Sequence, residues 1–439
     1  MRNVVRRDAL RALGAAALAA SCGMTSRQRI AGAAETRYPI EQGAQLNVLR
    51  WKRFVQGDED LWTANTRKFT EQTGIPVQVE SVNGEEIRPK GAMAASVGAG
   101  PDIIMGPADM PRLYPDKCVD LTDVAGYLGQ KYGGWYDVCQ RYCALDGRWI
   151  ALSMAIVAFC VVYRESMVKA AGFSDIPSDL AGFLKLCQAL KARGTPAGFT
   201  LGNALGDITW CYWLLWSHGA SLVDENNRVV INSKETISAL EYGRALYATF
   251  IPGTLSWLDP SNNKAFLAGQ ISLTWNPISI YYVAKTSSDP AMKAMAADIQ
   301  HAHLPIGPVG RPTELHGVLT AFALKYTKYP NAAREYLRFM LEREQYEPWQ
   351  QASLGYMCQT LRAYESNPIW TSDPKITPFR DGPRLTLYNG YRGSVGIASA
   401  GAAADGIIPQ MVAEAASGQS TPKDAAARAE QRARRYYKA

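Results

Sequence analysis

The sequence predicts an α/β protein of two lobes, and three observations carry that prediction. First, a strand, a helix and a second strand follow one another near the start. Leu46 to Leu49 is a short apolar run, Leu61-Trp62 and Phe69 recur at roughly helical spacing before the stop at Thr73-Gly74, and Ile75, Val77 and Val79 alternate. That order favours parallel strands joined by a crossover helix. Second, 439 residues exceed what one ordinary core accommodates, so two lobes of about 150–200 residues each are expected. Third, 47% apolar and 20% charged residues describe a well-buried globular chain.

Residues 1–34 stand apart from the fold. Arg6-Arg7-Asp8-Ala9-Leu10-Arg11 followed by the small apolar run Ala12 to Ala20 is a twin-arginine export pattern. The run is far shorter than the ~20 residues that span a bilayer. Two processing sites compete. Leu18-Ala19-Ala20-Ser21-Cys22 is a near-lipobox with Leu one place early, and Ala31-Gly32-Ala33 is an A-x-A cleavage site that frees a chain starting near Ala34. Either destination is the periplasm, as a free protein or anchored by lipid at Cys22.

Along the rest of the chain the elements follow in order. A helical segment from Glu85 to Val97 ends at Gly98-Ala99-Gly100, and Pro101 to Gly106 is a buried strand. In open α/β sheets ligands bind beyond the carboxyl ends of the strands, which points at Trp51 to Phe54 and at Met105 to Asp109. Leu152 to Tyr163 is a β-branched apolar run. Leu180, Phe183, Leu184, Cys187 and Leu190 mark one helix face, with Ser178 as the expected cap and Gly194 as terminator. Trp210, Trp213 and Trp216 share a short segment. Strands are expected at Ile271 to Trp275 and Val318 to Ala323, a helix after Pro330-Asn331, and a last helix opened by Thr421-Pro422-Lys423-Asp424.

The net charge of +7 is scattered without a basic stripe, so no nucleic-acid partner is expected. Outside the leader the cysteine number is odd, which leaves at least one thiol unpaired, and most are expected as buried free thiols. His301 and His303 would point the same way on a strand as two metal ligands, with only Glu314 as a loose third; neither a metal nor a cofactor is expected. There is no G-x-S-x-G elbow, H-E-x-x-H, P-loop or G-x-G-x-x-G after a strand, so no catalytic residue is assigned.

Taken in order, several of these pieces resemble one family. They are Phe69-Thr70-Glu71-Gln72-Thr73-Gly74-Ile75, Gly100-Pro101-Asp102-Ile103-Ile104, Asp146-Gly147-Arg148-Trp149 and Tyr163-Arg164-Glu165-Ser166-Met167 leading to Ala170-Ala171-Gly172-Phe173. Phe266 to Leu273, Tyr329-Pro330-Asn331-Ala332-Ala333 and the tail from Ser417 to Ala426 complete the set. The ordered set, from about Leu46 to the C-terminus, resembles the extracellular solute-binding proteins of bacterial ABC importers, in the branch that includes maltose-binding proteins. Two departures stand out: Ser153-Met154 and Arg164 replace the family's Pro and Asn, and Trp275-Asn276-Pro277 replaces Gly-Pro-Trp.

The resemblance implies a two-lobe periplasmic-binding-protein fold with hinge strands. The first lobe would hold 44–161 and 301–345, and the second 162–300 and 346–439. It implies a monomer that closes on a carbohydrate or polyol and delivers it to an ABC transporter permease. Stacking on a sugar ring is assigned to Trp51, Trp210 and Trp275, with Phe54 beside them. Hydroxyl recognition is assigned to Asp102, Asp109, Asn276 and Arg392, and His316-Gly317 corresponds to a ligand-touching loop in relatives. Arg50, Lys52 and Arg53 either favour an anionic group on the ligand or form a solvated face. The rival reading is an exported carbohydrate-active enzyme, a lyase or glycosidase, because a pair of carboxylates leaves no motif.

Overall fold

The computed structural model describes residues 37–52, 55–202, 204 and 206–438. The leader with both of its processing sites, and Arg53 and Phe54, lie outside the described residues. Ten strands follow in order. They are β1 (Leu46–Trp51), β2 (Val77–Val82), β3 (Ile103–Pro107), a short hairpin of β4 (Ala144–Leu145) and β5 (Arg148–Trp149), β6 (Leu152–Val157), β7 (Cys160–Arg164), β8 (Leu273–Asn276), β9 (Ile299–Ala302) and β10 (Gly317–Ala323). One sheet has the order β2-β1-β3-β10-β6 and another β8-β7-β9. β1 runs parallel to β2 and β3, and β10 lies antiparallel between β3 and β6.

The helix Gln56–Thr73 makes the first crossover and stops at Gly74, whose φ of 74° lets its N–H reach Thr70 O. It buries Trp62 and Phe69. Gly57 near its start tolerates no side chain, because a Cβ there would lie 2.0 Å from Ala352 O. Its N–H donates to Tyr282 Oη at 2.9 Å, a contact to the helix Ser279–Thr286 beyond β8. Asp179, not Ser178, caps the helix Leu180–Ala192, its Oδ1 accepting from Gly182 N–H at 2.9 Å.

β6 is buried throughout and β7 is buried up to Arg164, which explains an apolar run without alternation. The two strands belong to different sheets, so the chain crosses at Ala158-Phe159. That is earlier than the 161/162 boundary expected from sequence. Arg164 instead ends the second-sheet strand, with Nε 2.6 Å from Asp298 Oδ2. The return crossing is 303–316, between β9 of the second sheet and β10 of the first, rather than at 300/301.

The helix Arg343–Ala352 departs further from expectation. It packs on the first-lobe helix Gln56–Thr73, with Trp349 edge-on to Trp62 at 5.4 Å. Cys358 then pairs with Ile156 of β6, and Trp135 with Leu361. Residues 346–361, assigned from sequence to the second lobe, therefore lie against the first. The chain reaches the second lobe later. Lys375 Nζ donates to Ala297 O at 2.6 Å, and the helices Ile407–Ala416 and Pro422–Ala433 pack on the helix Lys234–Tyr247.

All seven described cysteines are free and buried. No helix among the described residues is long and apolar enough to cross a membrane.

Candidate functional site

A cavity of about 810 Å³ opens between the two sheets. Trp51 and Lys52 at the carboxyl end of β1, and Pro107 to Asp109 at that of β3, form one wall. Thr209 and Tyr212 from the helical segment after Gly206, with Asn263, Asn276 and Ser279, form the facing wall. Phe159, His316 and Gly317 reach it from the crossings.

The polar centre of the first wall is an ion pair. Arg88, on the helix Gly84–Val97, places Nη2 2.8 Å from Asp109 Oδ1. Burial alone would lower the Arg88 pKa, but Asp109 beside it outweighs burial and raises it. Arg88 Nη1 and Asp109 Oδ2 are buried and have no hydrogen-bond partner among the described residues, and Asn389 Oδ1 is in the same condition. All three residues line the cavity. Tyr142 Oη accepts from Asn389 N–H at 2.7 Å and keeps its own proton to donate. Burial pushes the Tyr142 and Tyr212 phenols up, and in both the Asp109 charge adds to the effect. The cavity lining thus holds a guanidinium, a carboxylate and an amide oxygen together with neutral phenols from its two walls. Buried polar groups normally find partners, so open valences grouped on one cavity wall suit a polyhydroxylated ligand.

On the facing wall Asn276 is held from within. Its amide donates to Ser279 Oγ at 2.9 Å, and its Oδ1 accepts from Asn262 at 3.1 Å. Asp207 also lines the cavity, and burial pushes its carboxyl well up, with Asp259 on the same lining adding to the shift. His316 Nδ1 accepts from Phe159 N–H at 3.2 Å.

Five of the residues singled out in the sequence therefore meet on the cavity: Trp51, Asp109, Asn276, His316 and Gly317. Four do not. Asp102 accepts from Asn47 N–H at 2.8 Å and Thr327 Oγ1 at 2.6 Å, stapling the start of β3 to β1 and to the turn after β10. Trp210 is buried edge-on against Phe199 and Phe250, and its indole N–H donates to Thr200 O at 2.8 Å. Trp275 donates to Thr209 Oγ1 at 2.9 Å and stacks behind Phe159 at 5.6 Å and His316 at 6.1 Å. It backs the cavity wall without reaching it. Arg392 is exposed, 3.3 Å from Gly219 O and 3.8 Å from Glu225.

The basic trio also dissolves. Arg50 is buried against Asp58 at 2.7 Å, while Lys52 alone of the described pair reaches the cavity. His301 and His303 part company: half-buried His301 lies 2.8 Å from Lys375 O, and His303 contacts Glu314 at 3.4 Å. No cluster of three His, Cys, Asp or Glu placed to hold a metal occurs among the described residues. Arg88, Tyr142, Tyr212 and Asn389 escaped the sequence reading. Each sits in a helix or loop whose residues carry no spacing that distinguishes a cavity-facing side chain from a packed one.

Comparisons with known proteins agree with this architecture. Residues 65–378 match the model of the family described as bacterial extracellular solute-binding protein. A Deinococcus radiodurans protein named as an ABC transporter-binding protein is 22% identical over 290 residues, covering 64% of this chain and 67% of that one. The maltose-bound MalE3 structure from T. maritima superposes with a TM-score of 0.77 at 18% identity, covering 89% of this chain and 99% of that one. A ribitol complex of an ABC transporter solute-binding protein from Agrobacterium radiobacter has a TM-score of 0.73 at 16% identity, covering 90% and 98%. The two-lobe fold, the cavity between its sheets and the family match over most of the chain lead to one conclusion: this protein belongs to the bacterial extracellular solute-binding proteins.

Proposed function

We propose that the protein captures a neutral carbohydrate or polyol between its lobes outside the cytoplasm and delivers it to the permease of an ABC importer. The observation that carries this reading is the trio of open polar valences, Arg88 Nη1, Asp109 Oδ2 and Asn389 Oδ1, on the wall that also holds Trp51. Adjacent hydroxyls both donate and accept, so one diol answers the guanidinium and the carboxylate together. Micromolar capture requires ~8 kcal/mol. Stacking on Trp51 supplies about 0.5–1.5 kcal/mol beyond area, and each hydrogen bond to a charged group about 1.5–3 kcal/mol. Two or three such bonds with one stack are sufficient. Among the described residues, Glu85, Asp109 and Asp259 on the lining stand against Lys52 and Arg88 as cations, which gives no excess of positive charge for an anionic ligand.

In this reading the sheet of β1 and β3 and the sheet of β7 are the two jaws, and 158–159 and 303–316 lie in the hinge. The protein works as a monomer. Twin-arginine export ends either in release near Ala34 or in lipidation of Cys22. The maltose and ribitol complexes of proteins with this fold support the ligand class. Thermal shift and tryptophan fluorescence across neutral, amino and acidic sugars and polyols test it; no response from any of them overturns it.

One observation favours a second reading, hydrolysis of a glycosidic bond. Asp207 is pushed up by burial and by Asp259 on the same lining, and a carboxyl held protonated in a cavity is what a general acid requires. New reducing ends after incubation with oligosaccharides would establish it.

A further inference from the structure

The hinge converges on one carboxylate. Glu314 is 1% exposed, and its Oε1 accepts from Leu304 N–H at 2.8 Å. Its Oε2 lies 3.4 Å from His303 Nδ1 and 3.3 Å from His316 Nε2. His303 and Leu304 directly follow β9 of the second sheet, whereas His316 directly precedes β10 of the first. One carboxylate thus bridges the two ends of the 303–316 crossing. The other crossing joins through His316, whose Nδ1 accepts from Phe159 N–H at 3.2 Å. A later segment is tied in as well: Leu387 N–H donates to Glu314 O at 2.8 Å, and His316 N–H to Thr386 Oγ1 at 2.9 Å. His316 and Phe159 both line the cavity. A rotation of one sheet against the other moves the two ends of the 303–316 crossing relative to each other, so these contacts cannot all persist through it.

We propose that Glu314 is a positioning residue for ligand capture: it holds the cavity-facing His316 and the hinge in the arrangement described, and through His303 it makes that arrangement tighter when a proton is bound. The proposal rests on the capture reading above. The charged and titratable neighbours agree with it. Burial works to raise the Glu314 carboxyl, but the two imidazoles outweigh it and hold it at about 2. The Glu314 carboxylate raises His303 against burial, and Asp381, itself 3.2 Å from Arg380, adds to this. Cys160 on β7 is pushed up by burial, Glu314, Cys358 and Asp381, and so remains a neutral thiol. His303 is partly exposed, so solvent protons reach it.

The sign follows from linkage. A histidine raised in one arrangement stabilises that arrangement fully below its ordinary value of about 6.5, and the contribution is lost as pH rises through the raised value. Ligand that binds this arrangement is therefore held more weakly at high pH.

The test uses the full chain labelled on its four histidines. NMR titration is expected to put the His303 midpoint above that of an ordinary imidazole, and Glu314→Gln is expected to bring it back. Tryptophan fluorescence with maltose as the probe is expected to lose affinity several-fold between pH 6.0 and 8.5 in the native chain. Glu314→Gln should bind more weakly at pH 6.0 and show a flat profile, and so should His303→Gln, which perturbs only a partly exposed side chain if Glu314→Gln fails to fold. A His303 midpoint at the ordinary value, or variant profiles that parallel the native one, overturns the proposal. If maltose binds at neither pH, the failure lies with the ligand reading. The effect of Glu314→Gln on the His303 titration then decides the coupling alone.

Discussion

Two arginine–aspartate pairs lie in the first lobe, and they are used in opposite ways. In Arg50–Asp58 both carboxylate oxygens accept from Arg50, at 2.9 and 2.7 Å, and Oδ1 also takes the Trp349 indole N–H at 2.7 Å. Arg50 lies over the Trp62 ring at 4.7 Å. That pair ties β1 to the helices Gln56–Thr73 and Arg343–Ala352, and Arg50 Nε has no hydrogen-bond partner among the described residues. In Arg88–Asp109 one contact holds the pair, and a buried oxygen and a buried nitrogen of these two cavity-lining residues have no hydrogen-bond partner among the described residues. The same ion-pair chemistry joins secondary-structure elements in one place and lines the cavity in the other.

Asp58→Ala should break the comparison hardest. It leaves a buried guanidinium without its partner, and such losses cost about 3–5 kcal/mol. Urea denaturation should register it, with sugar affinity of the folded fraction unchanged; a change under ~1 kcal/mol would mean that Arg50 is solvated.

Glu314 supplies a third buried carboxylate, with two imidazoles beside it instead of an arginine. Its folded value of about 2 lies below the ordinary carboxyl range, so its stabilisation is complete above about pH 4.5 and is lost as pH falls toward about 2. The size is ~2–3 kcal/mol. Acid unfolding of Glu314→Gln should show a correspondingly shallower slope over that window.

Asp109→Asn keeps the shape of the open pair and removes its charge. Loss of about 1.5–3 kcal/mol of binding is expected, or roughly 10- to 150-fold in affinity by calorimetry, with a smaller loss of stability than Asp58→Ala because Asn still accepts from Arg88. A variant that loses stability and keeps affinity would assign this pair to structure like the other. The smallest effect belongs to stacking. Trp51→Ala should cost about 0.5–1.5 kcal/mol of affinity beyond lost area, while Trp210→Phe, deep in the second lobe, should leave affinity as it was.

Much of the fold is legible in the sequence because its signals are local. The alternation Ile75-Val77-Val79 and the stop at Gly74 need only neighbours along the chain, and β1, the first crossover helix and β2 follow from them. Trp51 and Asp109 were also reachable, since parallel strands present their carboxyl ends to one crevice. Trp210 and Tyr212 mark where this stops. They are two residues apart on a helix whose residues are all buried, so no periodicity separates the one that lines the cavity from the one that packs against Phe199.

The two-lobe α/β class and the strand-end location of the cavity wall are legible in the sequence alone, since each rests on composition, periodicity or chain direction. Tertiary structure decided three other things. It placed the crossing at Ala158-Phe159, inside an apolar run that reads the same on both sides because β6 and β7 are both buried. It kept 346–361 with the first lobe through contacts with partners distant in sequence, such as Trp349 with Asp58 and Cys358 with Ile156. And it chose which arginine lines the cavity: Arg50 and Arg88 differ not in type but in what packs around them, a property that exists only after the chain has packed.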